Sequence, residues 1–310
     1  MSQRILMPGE IEKLGSATIA PLLLPALDTV FAQRAARLRH WAPNHAMQGY
    51  LELLALVAQV QQELLLALPV VPLPVPEQLT QAKEFSMPPL AVATWVRDPS
   101  WQSLCRSLVQ KVEQKAGTML PAPAQQILQQ IANADAAWLE RQASEILNGI
   151  DVQLDRGAAP FVAAALQVYW SAMVIRVGRE HFLPLEHGSV CPCCGSRPTA
   201  SIVRLGEPSG HRYLHCSLCA AQWHLVRIKC SQCDSTEGIE YLHIADRYPA
   251  ARAECCPSCH SYLKIFYQDK DQYCEPIADD VATLGLDLML SQSTDKQRVG
   301  VNFALFQGEG

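Results

Sequence analysis

Eight cysteines in this sequence stand in four pairs, each with two residues between its members: Cys191 with Cys194, Cys216 with Cys219, Cys230 with Cys233, and Cys256 with Cys259. A thiolate is a soft metal donor, and a C-x2-C turn is short enough to aim both sulfurs at one ion. Two such turns close a tetrahedral S4 shell. The spacing repeats, with 21 residues between the first pair and the second and 22 between the third and the fourth. This repeat predicts two shells, one from Cys191, Cys194, Cys216 and Cys219, the other from Cys230, Cys233, Cys256 and Cys259. Other pairings, such as the second turn with the third, offer the same donors but break the repeat. A thioredoxin-like redox pair would instead require a strand-to-helix junction in an α/β fold, which four copies do not fit.

The residue after the second cysteine of such a turn often needs a positive φ. Gly195, Asp234 and His260 suit that need, and Ala220 does not. Of the twelve cysteines, Cys105, Cys193, Cys255 and Cys274 stay outside the two sets. Cys193 and Cys255 each adjoin a candidate ligand, which leaves a one-residue shift of register open, although the i, i+3 spacing favours the sets given. Cys105, on an amphipathic stretch, reads as a small buried hydrophobe. His211, His215, His224, His243 and His260 crowd the region, but both shells are already full. A tetrahedral S4 set accepts zinc or a single iron, and spacing does not choose between them. Zinc would act as a folding staple, whereas iron would add a one-electron couple.

Eleven of the twelve cysteines fall between Cys191 and Cys274, and that asymmetry divides the 310-residue chain. The expected order is an all-helical domain over residues 1–185, a first four-cysteine β module over 186–226, a second over 227–275, and a C-terminal helix and tail over 276–310. In the helical part, Leu51–Leu68 is rich in strong helix formers and stops at Pro69, and the VPLPVPE stretch behind it reads as a polyproline II connector. Asp98 followed by Pro99 predicts a helix start, and further helices are expected over Ala124–Leu147 and Pro160–Val177. His40 and His45, beside a proline turn, read as surface or capping residues.

In the modules, strands are expected over Thr199–Leu205 and Gln222–Ile228. The second would run straight from one site to the other, since only ten residues separate Cys219 from Cys230, and would set the modules side by side. The acidic segment Asp269–Asp280 reads as a solvated cap on an amphipathic helix carrying Val281, Leu284, Leu286, Leu288 and Leu290, with a partner contact as the alternative.

A net charge of −5 and a pI near 6.0 give no electrostatic pull toward nucleic acid or anionic lipid. Nine Lys or Arg stand against ten Asp or Glu between Glu186 and Glu275, so a zinc-ribbon nucleic-acid binder lacks its basic stripe. The opening MSQRILMPGEIEKLGS lacks the features of an export signal. The most apolar run, Phe161–Ile175, contains Gln167 and Ser171 and falls short of the roughly 20 residues that span a bilayer. These features predict a soluble, cytoplasmic protein with no membrane insertion. No catalytic constellation is visible, so it is not expected to be an enzyme.

The segments CPCCGSRPTAS from Cys191, RYLHCSLCAAQWHLVRIKCSQC from Arg212 and YLKIFYQDKDQYCEPIADDVATLGLDLML from Tyr262, with the closing NFALFQGEG, resemble the FdhE family of formate dehydrogenase accessory proteins. That resemblance, specific over roughly the last 125 residues, implies a non-catalytic cytoplasmic assembly factor with two rubredoxin-like modules. It implies iron at two mononuclear four-cysteine sites, with zinc as the alternative, and the catalytic subunit of a respiratory formate dehydrogenase as partner before export. The family's paired cysteines fall on Cys191, Cys194, Cys216, Cys219, Cys230, Cys233, Cys256 and Cys259, while Cys193, Cys255 and Cys274 are extras. A rubredoxin-like electron carrier remains the redox-active variant of this reading.

Overall fold

The computed structural model describes residues 19–117, 120–205, 210–244, 247–293 and 295–306. The opening segment MSQRILMPGEIEKLGS and the last four residues of the tail lie outside this set. After a short strand β1 (Leu22–Leu23), seven helices follow: α1 (Val30–Trp41), α2 (Gln48–Leu66), α3 (Pro76–Glu84), α4 (Ser100–Ala116), α5 (Ala122–Asn133), α6 (Ala136–Asn148) and α7 (Ala159–Val177). The β part comprises β2 (Pro198–Val203), β3 (Arg212–Cys216), β4 (Gln222–His224), β5 (Glu240–Leu242), β6 (Ala251–Cys255) and β7 (Ser261–Tyr267), then α8 (Pro276–Ala282), α9 (Leu284–Ser293) and β8 (Gln297–Arg298).

Local chemistry explains most of the helix boundaries. α2 ends at Leu66, two residues short of the expected Leu68, which turns the chain with φ 49° ahead of Pro69. α4 starts at Ser100 with Pro99 as its cap residue, one position later than expected, and the Asp98 carboxylate just before it accepts the Ser100 amide at 2.9 Å. The single helix expected over Ala124–Leu147 is instead two, because Asp135 accepts the Trp138 amide at 2.6 Å and begins a new helix after the extended Ala134. The proline connector is shorter than expected: Val75 keeps polyproline-like angles, but Pro76 already opens α3.

α7 is the centre of the helical layer. At 19 residues it is longer than the apolar run read from the sequence and would fit a bilayer by length and composition. Sixteen of those residues are instead buried in protein, packed by α2, α4 and α6. Trp101, Tyr169 and Trp170 are wholly enclosed there, each burial being worth about 2 kcal/mol or more.

The strands form one eight-stranded sheet in the order β1-β4-β3-β2-β7-β6-β5, with β8 beside β7. Each cysteine module contributes an antiparallel meander, and the two meanders join where β2 pairs in parallel with β7, from Ala200 opposite Lys264 to Val203 opposite Tyr267. The modules therefore sit side by side, but not by the straight strand expected over Gln222–Ile228. β4 stops at His224, and Ile228 turns the chain with φ 59°, a conformation unusual for a β-branched residue. The turn redirects the backbone to deliver Cys230, and it leaves Val226 and Ile228 exposed.

The acidic segment also departs from expectation. Asp269 and Lys270 are exposed, but Glu275, Asp279 and Asp280 are buried. Arg34 pairs with Glu275 at 3.2 Å, Arg37 with Asp279 at 2.7 Å, and Lys264 with Asp280 at 3.0 Å. The solvated cap is thus a buried clasp of α1 and β7 onto α8. The helix behind it is two helices, which meet at Thr283, whose hydroxyl bonds back to the Asp279 carbonyl at 2.7 Å.

Candidate metal centres

Each cysteine turn is built to one pattern. The amide of its first cysteine donates to the carbonyl five residues on: Cys191 to Ser196, Cys216 to Ala221, Cys230 to Ser235 and Cys256 to Ser261, at 2.8–2.9 Å. The residue after the second cysteine has positive φ in all four turns: Gly195 75°, Ala220 58°, Asp234 59° and His260 54°. Ala220 thus follows the rule against expectation, at a cost of roughly 1–2 kcal/mol for its Cβ. The closed turn over its neighbouring cysteines outweighs that cost.

The folded chain gathers Cys191, Cys194, Cys216 and Cys219 into one group and Cys230, Cys233, Cys256 and Cys259 into another, with all sulfurs in a group within 4.8 Å of one another. In the first, Cys191 and Cys219 lie 3.6 Å apart and Cys194 and Cys216 3.4 Å. In the second, the pairs Cys230 with Cys259 and Cys233 with Cys256 each lie at 3.6 Å. A tetrahedron with metal–sulfur bonds of about 2.3 Å has sulfur edges of about 3.8 Å, so both groups have the size that zinc or a single iron requires. The distances are far too long for a disulfide.

The donor set fits a cation for a second reason. In the first group burial pushes the Cys191, Cys216 and Cys219 thiols well above their ordinary range. Burial opposes ionisation of Cys194 as well, but bonds from Cys191, Cys216 and Cys219 outweigh it and hold that thiol well below. Burial thus opposes four thiolates side by side, and a bound cation would offset that cost. Backbone amides already point at the sulfurs: those of Leu218 and Cys219 donate to Cys216 Sγ at 3.4 Å, and that of Gln232 to Cys230 Sγ at 3.3 Å.

The two groups differ in surroundings. All four sulfur-bearing residues of the first are fully enclosed and belong to the same apolar core as α4 and α7. The Leu90 and Val92 amides donate to the Cys193 and Cys194 carbonyls at 3.0 and 2.9 Å. From α7, Gln167 donates to the Ser217 carbonyl at 2.8 Å and Ser171 to that of Cys219 at 3.3 Å. In the second group Cys233 is exposed and Cys259 half-buried. Its nearest polar support is Ser261, whose hydroxyl lies 3.0 Å from Cys259 Sγ and 3.8 Å from Cys230 Sγ.

Cys105, Cys255 and Cys274 stay apart from both groups, but Cys193 is buried against the first, where burial opposes its ionisation and bonds to Cys191 and Cys219 outweigh that and lower its thiol to about 7. Burial lifts Cys105 to about 12 and Cys255 to about 11, as suits inert core thiols. Among the described residues no histidine joins either group. His45 caps, its Nδ1 accepting the Met47 amide at 3.1 Å. Sequence reasoning missed Leu90, Val92, Gln167, Ser171 and Ser261. A signal existed for two of them, since Gln167 and Ser171 are one turn apart in the apolar stretch of α7 and mark a polar stripe that must meet buried partners.

Comparison with known proteins gives a consistent result. Family models described as "FdhE, N-terminal", "FdhE, central domain" and "FdhE, C-terminal domain" match residues 19–185, 190–227 and 228–305. A "Protein FdhE homolog" of Cronobacter sakazakii is 37% identical over 314 residues, covering 100% of each chain. A "Protein FdhE" of Salmonella typhimurium is 36% identical over the same length and coverage. The crystal structure of the FdhE protein from Pseudomonas aeruginosa superposes with a TM-score of 0.85 at 36% identity, covering 94% of this chain and 100% of that one.

Proposed function

This chain belongs to the FdhE family, and from that premise we propose that it is a non-catalytic cytoplasmic accessory factor in the assembly of a respiratory formate dehydrogenase, meeting the catalytic subunit through its cysteine-rich half. The observation that carries the reading is full-length membership of the family together with two four-sulfur groups of metal-binding size. In this reading Cys191, Cys194, Cys216 and Cys219 hold one ion and Cys230, Cys233, Cys256 and Cys259 another, and the modules they staple divide the chain near residues 226 and 275. The sulfur geometry suits iron and zinc equally, and the family resemblance favours iron. A bound ion would supply the closure energy of each module and, if iron, a one-electron couple.

What the chain's own residues contribute is a rigid platform. The β2–β7 pairing locks the two modules into one sheet, and the clasp of Arg34 and Arg37 on Glu275 and Asp279 ties that sheet's C-terminal helices to the helical domain. The test has two parts. Protein purified without oxygen should contain two equivalents of metal, with ferric-thiolate absorption that dithionite bleaches if the metal is iron. It should also retain the formate dehydrogenase catalytic subunit in a pull-down. The Cys230→Ser/Cys233→Ser variant should lose one equivalent and, with it, the client. Retention of both would refute the reading. The exposed Cys233 edge favours one alternative, an electron carrier, for which bleaching and reoxidation by a partner would have to occur at catalytic rates.

A further inference from the structure

Granting that both groups hold a metal, as proposed above, we infer that the second group is an exchange site, which takes up and yields its ion by thiol-for-thiol substitution, while the first is a closed staple. An S4 shell is coordinatively full. Exchange therefore needs an edge by which an incoming donor can approach and a resident sulfur that can swing away.

The first group offers neither. Cys191, Cys194, Cys216 and Cys219 are fully enclosed, and the amides of Leu90 and Val92 with the side chains of Gln167 and Ser171 bind the backbone of both turns from the helical side. To open an approach, the helical domain would have to separate from the sheet, breaking the shared core. That is a near-global event.

The second group offers both. Cys233 is exposed, Cys259 is half-buried, and Pro257, Ser258 and His260 around them are exposed. The apolar cluster behind this module is small, formed by Ala253, Cys255, Tyr262, Leu286 and Leu290, and it does not enclose the four sulfurs. An incoming thiol can form a sulfur–metal bond at the Cys233 edge as the metal bond to Cys233 Sγ breaks. The proton lost by the incoming thiol passes to the Cys233 thiolate, and no electron changes hands. Repetition at Cys259, and then at Cys230 and Cys256, each thiolate taking the proton of the thiol that replaces it, would release the ion to the incoming ligands. The ligand class is a small thiol, dithiol or chelator that competes through soft donors.

The test uses the full chain loaded with zinc under anaerobic conditions and challenged with 4-(2-pyridylazo)resorcinol, with and without reduced glutathione. One equivalent should leave at a rate that rises with glutathione, and the other about 100-fold more slowly and independently of it. A pulse of N-ethylmaleimide between the phases, read by peptide mass spectrometry, should label Cys230, Cys233, Cys256 and Cys259 and spare Cys191, Cys194, Cys216 and Cys219. A single release phase, a fast phase that ignores glutathione, or label on the first group would overturn the inference. A chain that never binds two equivalents would instead overturn the metal-holding reading beneath it.

Discussion

The two four-cysteine groups share one turn geometry and nearly one size, yet one is part of the helical core and the other lies at a surface. Identical local chemistry thus stands in two different surroundings. What separates them is the polar seal from α7 and from residues 90–92, which exists only for the first group. An ion bound by the first group would tie the helices to the sheet, whereas one bound by the second would hold only the strands around it.

The strongest way to break this comparison is to remove two ligands from each group in turn. Cys191→Ser/Cys194→Ser should abolish cooperative thermal unfolding of the whole chain, with a loss on the order of 10 kcal/mol in the presence of metal. Cys230→Ser/Cys233→Ser should leave the helical domain's transition in place by circular dichroism. Equal damage from both would erase the distinction.

Next in size is the clasp. Arg37→Ala leaves Asp279 as a buried, uncompensated carboxylate and should cost about 3–5 kcal/mol in denaturant unfolding, while the rate of metal release from the second group stays unchanged. A faster second-group release would mean that the helical domain restrains that site too. Gln167→Ala leaves the Ser217 carbonyl without its donor and should cost about 1–3 kcal/mol. It should accelerate metal release from the first group specifically, as followed with a chromophoric chelator. Smallest is Ser261→Ala, which removes a hydroxyl from two sulfurs of the second group. Stability should change by less than about 1 kcal/mol, and in the iron-loaded protein only the second group's charge-transfer band should move.

Much of this architecture is legible in the sequence alone. The gathering of eight sulfurs into two sets followed from the repeat, because a short turn constrains its own sulfurs and equal loops return the next turn to the same place. The helices expected over Leu51–Leu68 and Pro160–Val177 are readable from composition and, for the first, from the stop at Pro69, although that helix ends at Leu66. Three things are not. Whether Ala220 takes positive φ depends on turn closure rather than on residue preference. The path from Cys219 to Cys230 looked like a strand by alternation, but the need to aim Cys230 made it a turn at Ile228. Glu275 and Asp279 read as solvated because their partners, Arg34 and Arg37, lie more than 200 positions earlier.

By itself, then, the sequence determined which donors exist and which of them meet, since both are set by covalent spacing over a few residues and by a repeated loop length. Only the tertiary structure decided that one four-sulfur group is sealed and the other open. Burial depends on which surfaces α7 and the segment around Leu90 cover, and those contacts join residues far apart in the chain that no local pattern records.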